Sequence, residues 1–250
     1  KDYFQYKTTA NISQYLDKKV DKIDFKNESI FQSSSSKIFL NTYFTIGLVS
    51  DNSNCLSIYN NELSEQQKKG IINSLKRGIS FYNLDEIESY YNILRKLITD
   101  DSAFSAIENK YQKILKLQKG NTSPLFNYPD TNGQYISLES LKGKLVYIDV
   151  WATWCGPCRA QIPYLKEMEE KYRSKKIEFV SLSIDQSKDI QKWKKMIAEK
   201  ELKGIQIMAD KAWRSSFVID YIIDGIPRFI LVDKSGNIIS PNAPRPAIFE

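Results

Sequence analysis

A chain of 250 residues suits two domains of ordinary size, and its 42% hydrophobic and 26% charged content is that of a soluble globular protein. The net charge of +6, from 36 basic and 30 acidic residues, is spread in mixed clusters such as Lys192-Trp193-Lys194-Lys195, which argues against a nucleic-acid track. Histidine is absent, so His triads, His general bases and His metal ligands are excluded, leaving thiol and carboxylate chemistry.

The first part of the chain carries helical patterns and no recognisable chemistry. It opens at Lys1 rather than a methionine, as a processed form or an expressed piece would, and an export signal or lipid anchor could have preceded residue 1. The apolar run from Ile38 to Val49 is interrupted by Asn41 and Thr42 and falls short of the roughly 20 residues a membrane span needs. Ser33 to Ser36 reads as a loop. Ser64-Glu65-Gln66-Gln67 has the form of a capping box, which satisfies free amides at a helix start leading into Ile71, Ile72 and Leu75. Leu84, Ile87, Tyr91, Leu94 and Ile98 recur at helical steps, as do Phe104, Ile107, Tyr111 and Ile114, and these predict two amphipathic helices packed on each other. Stripes of this kind are read as core rather than as a ligand surface. Cys55, alone in this region, reads as a small buried hydrophobe.

The helical pattern stops at Lys119-Gly120-Asn121-Thr122-Ser123-Pro124, whose composition marks a linker. The boundary is placed there, giving a mainly α-helical domain over 1–120 and a second domain over 121–250. Asp130-Thr131-Asn132-Gly133 predicts a turn between two short extended pieces, and Ser137 to Leu141 a single helical turn closed by Gly143. Leu145 to Trp151 is apolar at almost every position, as a central strand covered on both faces should be. A helix from Cys155 to about Ser174 follows, then a strand from Ile177 to Ile184 and a helix from about Lys188 to Lys200. A short strand over Ile205 to Met208, a helix over Trp213 to Tyr221 and a strand over Phe229 to Val232 come next. Asp233 to Asn237 then turns the chain into Ile238-Ile239. This alternation predicts an α/β domain with a mixed central sheet flanked by helices.

Asp149 is out of place in that central strand. An unpaired buried carboxylate is costly, so its pKa should rise, and no structural partner is evident in the sequence. It precedes Cys155 closely enough to lie beneath the cysteine pair and exchange a proton with it. Cys155, at a helix N-terminus, meets free amides and the positive end of the helix dipole, which favour a thiolate, so it is the expected nucleophile, flanked at the surface by Trp154. Cys158, one turn on, is expected to be more buried and to resolve the mixed disulfide. Half of a zinc site is the competing reading of such a pair, but Cys55 is the only further cysteine and no histidine exists to complete it, so no metal is expected.

Trp154-Cys155-Gly156-Pro157-Cys158 after an apolar strand, with Asp149 before it, Pro163 after it and Gly225-Ile226-Pro227 ahead of Phe229 to Val232, resembles the thioredoxin fold. Within that superfamily the chain is similar to the exported TlpA/ResA-like thiol-disulfide oxidoreductases of bacteria. Pro124-Leu125-Phe126, Asn132-Gly133, Leu138 to Lys144 and Asp233-Lys234-Ser235-Gly236 carry this closer likeness, over about residues 121 to 240. The resemblance implies a cis Pro227 facing the disulfide, with the backbone of Ile226 free to pair with extended substrate. Trp154, Gly156, Pro157, Ile226 and Pro227 are then the substrate-binding residues. Arg228 is read as a contact for acidic substrate or as a solvated charge.

Three positions depart from the family pattern. Gln161 stands where members commonly have glutamate, Asp149 where many have asparagine, and Ser181 where thioredoxins proper carry a lysine. Asp149 is therefore expected to be the sole buried carboxylate of the site. Pro241, Pro244 and Pro246 break the pattern of the closing helix usual in the fold.

The function expected is reduction of protein disulfides by the Cys155/Cys158 dithiol, with no cofactor beyond that redox-active pair. The resemblance implies an exported protein facing the periplasm and recharged by a membrane or thioredoxin-type electron donor. Two alternatives are a peroxiredoxin-like peroxidase and a non-enzymatic binding or assembly protein that uses the thioredoxin domain as scaffold. The intact cysteine pair argues against both.

Overall fold

The computed structural model of the chain describes Val20, Ile23, Phe25 and residues 33–80 and 86–248. Two compact units are distinguished, Lys1–Gln112 and Lys113–Glu250, so the division falls ahead of the Lys119–Pro124 segment.

The first unit is helical where it is described, with α1 (Ser34–Val49), α2 (Ser53–Asn61), α3 (Glu65–Gly78), α4 (Ile87–Leu97) and the greater part of α5 (Asp101–Lys116). The serine run is not a loop, because Ser34 to Ser36 form the first turn of α1. Serine is a poor helix-interior residue but suits a first turn, where hydroxyls compete least with the backbone ladder. The capping box forms as its sequence predicts: the Gln67 Oε1 accepts from the Ser64 amide at 2.6 Å and the Ser64 Oγ from the Gln67 amide at 3.5 Å. It opens a helix that buries Ile71 and Leu75. Of the two predicted stripes, Leu84 lies outside the described residues. The rest forms α4 and α5, joined through Tyr91, which meets Phe104 edge-on at 5.4 Å and stacks on Tyr111 at 4.1 Å. None of these helices is long and apolar enough to cross a membrane, among the described residues.

Cys55 is fully buried against α1, where Gly47 leaves room for it. A Cβ at Gly47 would come within 2.7 Å of the Cys55 sulfur, closer than packed atoms tolerate.

In the second unit, five strands make one sheet in the order β5-β4-β3-β6-β7: β3 (Leu145–Trp151), β4 (Ile177–Ser183), β5 (Ile205–Met208), β6 (Arg228–Val232) and β7 (Ile238–Ser240). The β3–β4 and β4–β5 pairs are parallel, and the β3–β6 and β6–β7 pairs antiparallel. A separate hairpin of β1 (Asn127–Pro129) and β2 (Tyr135–Ser137) turns at Gly133, whose φ of +84° is a conformation glycine adopts without penalty. The mixed sheet flanked by helices is the expected α/β arrangement.

Two helices are shorter than predicted. The stretch from Cys155 divides into α6 (Gly156–Arg159) and α7 (Ile162–Lys171), because Pro163 has no amide to give the Arg159 carbonyl and its ring crowds that turn. The stretch from Trp213 divides at Ser215, whose ψ of 149° is extended, into a 3-10 turn over Ala212–Arg214 and a short α9 (Ser216–Asp220). Between these, a 3-10 turn at Ser187–Asp189 leads into α8 (Ile190–Glu199).

The segment after Lys119 is not a free linker. The Gly120 amide donates to the Ile238 carbonyl, the Ile238 amide to the Asn121 carbonyl, both at 2.8 Å, and Thr122 bridges to Asn237, so the segment runs along β7. At the other end of the domain, Pro241 to Pro246 forms no helix. Its Ala243 amide donates to the Phe229 carbonyl and its Pro244 carbonyl accepts from the Tyr147 hydroxyl, both at 2.8 Å. Ala243 is thereby held in a cluster with Tyr147, Leu165, Met168, Phe179 and Phe229.

Gly47→Ala is expected to destabilise the chain by about 1–3 kcal/mol through overpacking against Cys55. Cys55→Ala should recover part of that loss, so a double-mutant cycle read by urea unfolding will show coupling of at least about 0.5 kcal/mol.

Candidate active site

The two cysteines lie where β3 passes into α6. Cys155 is the N-cap of α6, with extended backbone (φ −82°, ψ 101°), and its sulfur accepts the Cys158 amide at 3.1 Å. Their Cα atoms are 5.3 Å apart and the sulfurs are joined in a disulfide. Cys155 is 5% exposed and Cys158 3% exposed. Because α6 is a single turn, what favours negative charge on Cys155 is the local amide at its sulfur rather than a long helix dipole.

A buried network that the sequence reading missed holds the approach to Cys155. Asp185, just past β4, accepts from the Thr153 amide at 2.9 Å, the Thr153 hydroxyl at 2.7 Å and the Ser183 hydroxyl at 2.8 Å. Asp185, Thr153 and Ser183 are all buried, so these donors offset the desolvation of the carboxylate. The available signal was Asp185 directly after the predicted strand Ile177 to Ile184, two residues on from Ser183.

Ile226 and Pro227 face the pair from the loop before β6. Their peptide bond is cis, and the Ile226 carbonyl oxygen lies 3.8 Å from the Cys155 sulfur. Gly156 and Pro157 are exposed, and Ile226 and Pro227 half-buried. Trp154 is 50% exposed, and 6.2 Å from its ring stands Trp213, 39% exposed, a second aromatic that the sequence reading did not assign to the site. Arg228 is neither a solvated charge nor an open contact for substrate: it is 4% exposed, at the start of β6.

Asp149 lies in β3 and is 7% exposed. It stands in one row with Ser181 of β4 and Gln206 of β5. Leu165, Lys166 and Glu169 of α7, the helix that follows the Cys158 turn, cover that row and enclose a small cavity with it. Burial, and then the charge of Glu169, push the Asp149 carboxyl up to about 8. Burial also raises Glu169, opposed by Lys203 and Lys166. Asp149 is therefore not the sole carboxyl of its cavity, because half-buried Glu169 shares it. Gln161 is turned elsewhere, its Oε1 accepting from the Ala247 amide at 3.3 Å. Glu169 was not legible because a glutamate on a charged amphipathic helix reads as a solvated residue until the helix is docked.

The disulfide at the end of a central strand, opposite a proline loop on a mixed sheet, is the arrangement of a thiol-disulfide exchange site. The Redoxin family model matches residues 118–245. The chain belongs to this family. Thiol-disulfide oxidoreductase ResA of one Bacillus cereus strain is 30% identical over 147 residues, 59% of this chain and 82% of the relative. ResA of another strain is 32% identical over 124 residues, 50% of this chain and 69% of the relative. Among solved structures, the thioredoxin domain of a Bacteroides vulgatus thiol-disulfide oxidoreductase is 31% identical, over 52% of this chain and 90% of that one, with a TM-score of 0.47. By the Redoxin match and the ResA relatives, the chain is a TlpA/ResA-like thiol-disulfide oxidoreductase.

Two stability measurements check this site in the oxidoreductase. Asp185→Ala should cost about 2–3 kcal/mol in urea unfolding, since it strands buried donors. Asp149→Asn should stabilise. The Asp149 carboxyl titrates at about 8 in the fold and near 3.9 unfolded. Between those values the folded state binds more protons, so wild-type stability falls as pH rises and levels off above about 8. The gain from Asp149→Asn should therefore grow over that window, reaching roughly 3–5 kcal/mol.

Proposed function

We propose that this oxidoreductase reduces protein disulfides, with Cys155 as nucleophile, Cys158 as resolving thiol and Asp149 as the proton acceptor for Cys158. The observation that carries the reading is the Cys155 sulfur, which caps α6 and accepts the Cys158 amide while facing the Ile226 carbonyl. A thiolate in that position keeps the amide as its donor. Its electron pair attacks a substrate disulfide, expelling one substrate thiolate and leaving a mixed disulfide on Cys155. Cys158, having given its proton to Asp149, then attacks the Cys155 sulfur, forms the Cys155–Cys158 bond and expels the second thiolate. Two electrons pass from the dithiol to the substrate.

Trp154, Gly156, Pro157, Ile226 and Pro227 form the receiving surface in this reading, and Trp213 extends it beside Trp154. Exposed aromatics next to accessible backbone suit an extended, partly unfolded chain, whose peptide groups pair with the loop before β6. The reducing direction is supported by Gly156-Pro157, the dipeptide that resembles reducing thioredoxins. Work in the periplasm and recharging by a membrane or thioredoxin-type donor follow from the resemblance to exported relatives. No cofactor beyond the cysteine pair enters this scheme.

Cys158→Ser should accumulate mixed disulfides through Cys155 with substrate proteins in the native compartment, and Cys155→Ser should accumulate none. Equilibration with glutathione or dithiothreitol should place the Cys155/Cys158 couple near about −270 mV; a value near about −120 mV would make the protein an oxidant and overturn the reductase reading.

A further inference from the structure

Asp149 is buried in the middle of a covered strand, and it titrates at about 8. Near neutral pH it therefore rests protonated and must shed its own proton before it can take one from Cys158. The route has to run through the cavity that Asp149 shares with α7. Asp149, Ser181 and Gln206 form its floor, as one row across three strands, and Lys166 and Glu169 lie on the helix above.

The cavity leaves about 10 Å³ open to the centre of a water molecule, about the space one water takes up. Asp149 Oδ1, Glu169 Oε2, Gln206 Oε1 and Trp151 Nε1 belong to residues lining it, are buried, and have no hydrogen-bond partner among the described residues. Buried polar atoms are almost always paired, with protein or with ordered water. Three acceptors and a donor around the space of one water meet the requirement of two to four polar partners.

On its outer side, Glu169 also borders an open groove of about 390 Å³, formed with Arg173, Glu178, Phe179, Lys203 and Gly204. Glu169 and Lys203 are the residues common to the cavity and the groove. A Cβ at Gly204 would stand 3.0 Å from Glu169 Oε1 and 2.8 Å from the Phe179 carbonyl, so glycine, with φ +67°, is what lets the chain pass beside the carboxyl there. One oxygen of Glu169 is thus buried beside the cavity while the other lies against Gly204 at the groove.

We propose that Glu169 is a positioning residue through which Asp149 exchanges its proton with solvent, by way of a single water held between the two carboxyls. The inference rests on the reading of Asp149 as the proton acceptor for Cys158. In each resolution step Asp149 gives its proton to the water as the water gives one to Glu169, which releases it into the groove. Asp149 then takes the Cys158 proton, and the thiolate closes the disulfide and expels the substrate thiolate. Burial, and then the charge of Glu169, raise Asp149; burial raises Glu169 too, but there Lys203 and Lys166 oppose it, so Glu169 is the member of the pair with cations beside it. Tyr147, on the same strand, is raised by burial and then by the charge of Asp149, so it stays protonated.

The test uses the reduced full chain. Ellman's reagent places a thionitrobenzoate on Cys155, and release of that group by Cys158 is followed by absorbance across pH. Glu169→Gln is expected to slow release about tenfold below about pH 8, and to converge with the wild type above about pH 9, where Asp149 is already ionised and needs no exchange route. Glu169→Leu should do the same, and Glu167→Gln, on the exposed face of α7, should leave the profile unmoved. Asp149→Asn separates the two readings. If Asp149→Asn slows release and Glu169→Gln stays within twofold of wild type at every pH, the exchange route is overturned while the role of Asp149 stands. If Asp149→Asn also leaves release unchanged, both are overturned. An equal loss at all pH values in the Glu169 variants would mark a packing effect and overturn the route as well.

Discussion

A carboxyl group in the middle of a covered strand is the constraint on which the second unit turns. β3 is buried on both faces because helices and an irregular C-terminal segment cover it, and the same burial holds Asp149 far from the ordinary range of a carboxyl group. The cost is partly spread over neighbours: Ser181 and Gln206 continue a polar row across the sheet, and α7 brings Glu169 and Lys166 over it. A strand built only for stability would carry an aliphatic residue there. The fold keeps instead an acid whose proton affinity is close to that of a thiol.

The cysteine pair depends on a different kind of support. Asp185 anchors Thr153 by both its amide and its hydroxyl, and the Cys155 amide then donates to the Ala152 carbonyl at 3.0 Å. From the far side the Ile226 carbonyl fixes the distance to the sulfur. The reacting atom is thereby positioned from the end of β4, from the loop before β6 and from its own turn. Rigid support from several elements is what lets a thiol meet its target at one geometry.

Much of this could be read from the residues in order. The capping box at Ser64, the apolar run of β3, the cysteine turn and the anomaly of Asp149 are local signals, carried by a handful of neighbouring residues. What escaped was non-local or depended on a single backbone donor. Glu169 becomes a partner of Asp149 only when α7 docks on the sheet. Asp185 reaches from the end of β4 to Thr153, past the end of the neighbouring β3. Arg228 read as a surface charge because its position beside a loop gave no sign of the packing over it. Pro163 was legible as a residue, yet its effect on the helix from Cys155 lay in a missing amide, which an apolar periodicity does not register.

The segment after Lys119 and the hairpin that follows bear on the open sides of the sheet. Gly120 to Asn121 lies along β7, and Asp130 bridges to Ile207 on β5, so a single stretch of chain covers both outer strands. Uncovered outer strands are templates for pairing with other molecules. Under the proposed reading, in which chains are received at the loop before β6, a bare edge elsewhere would collect the same chains without reducing them. A fragment cut just before Pro124 would keep the cysteines and lose the cover on β7, turning a guarded enzyme into one prone to stick to its own substrates.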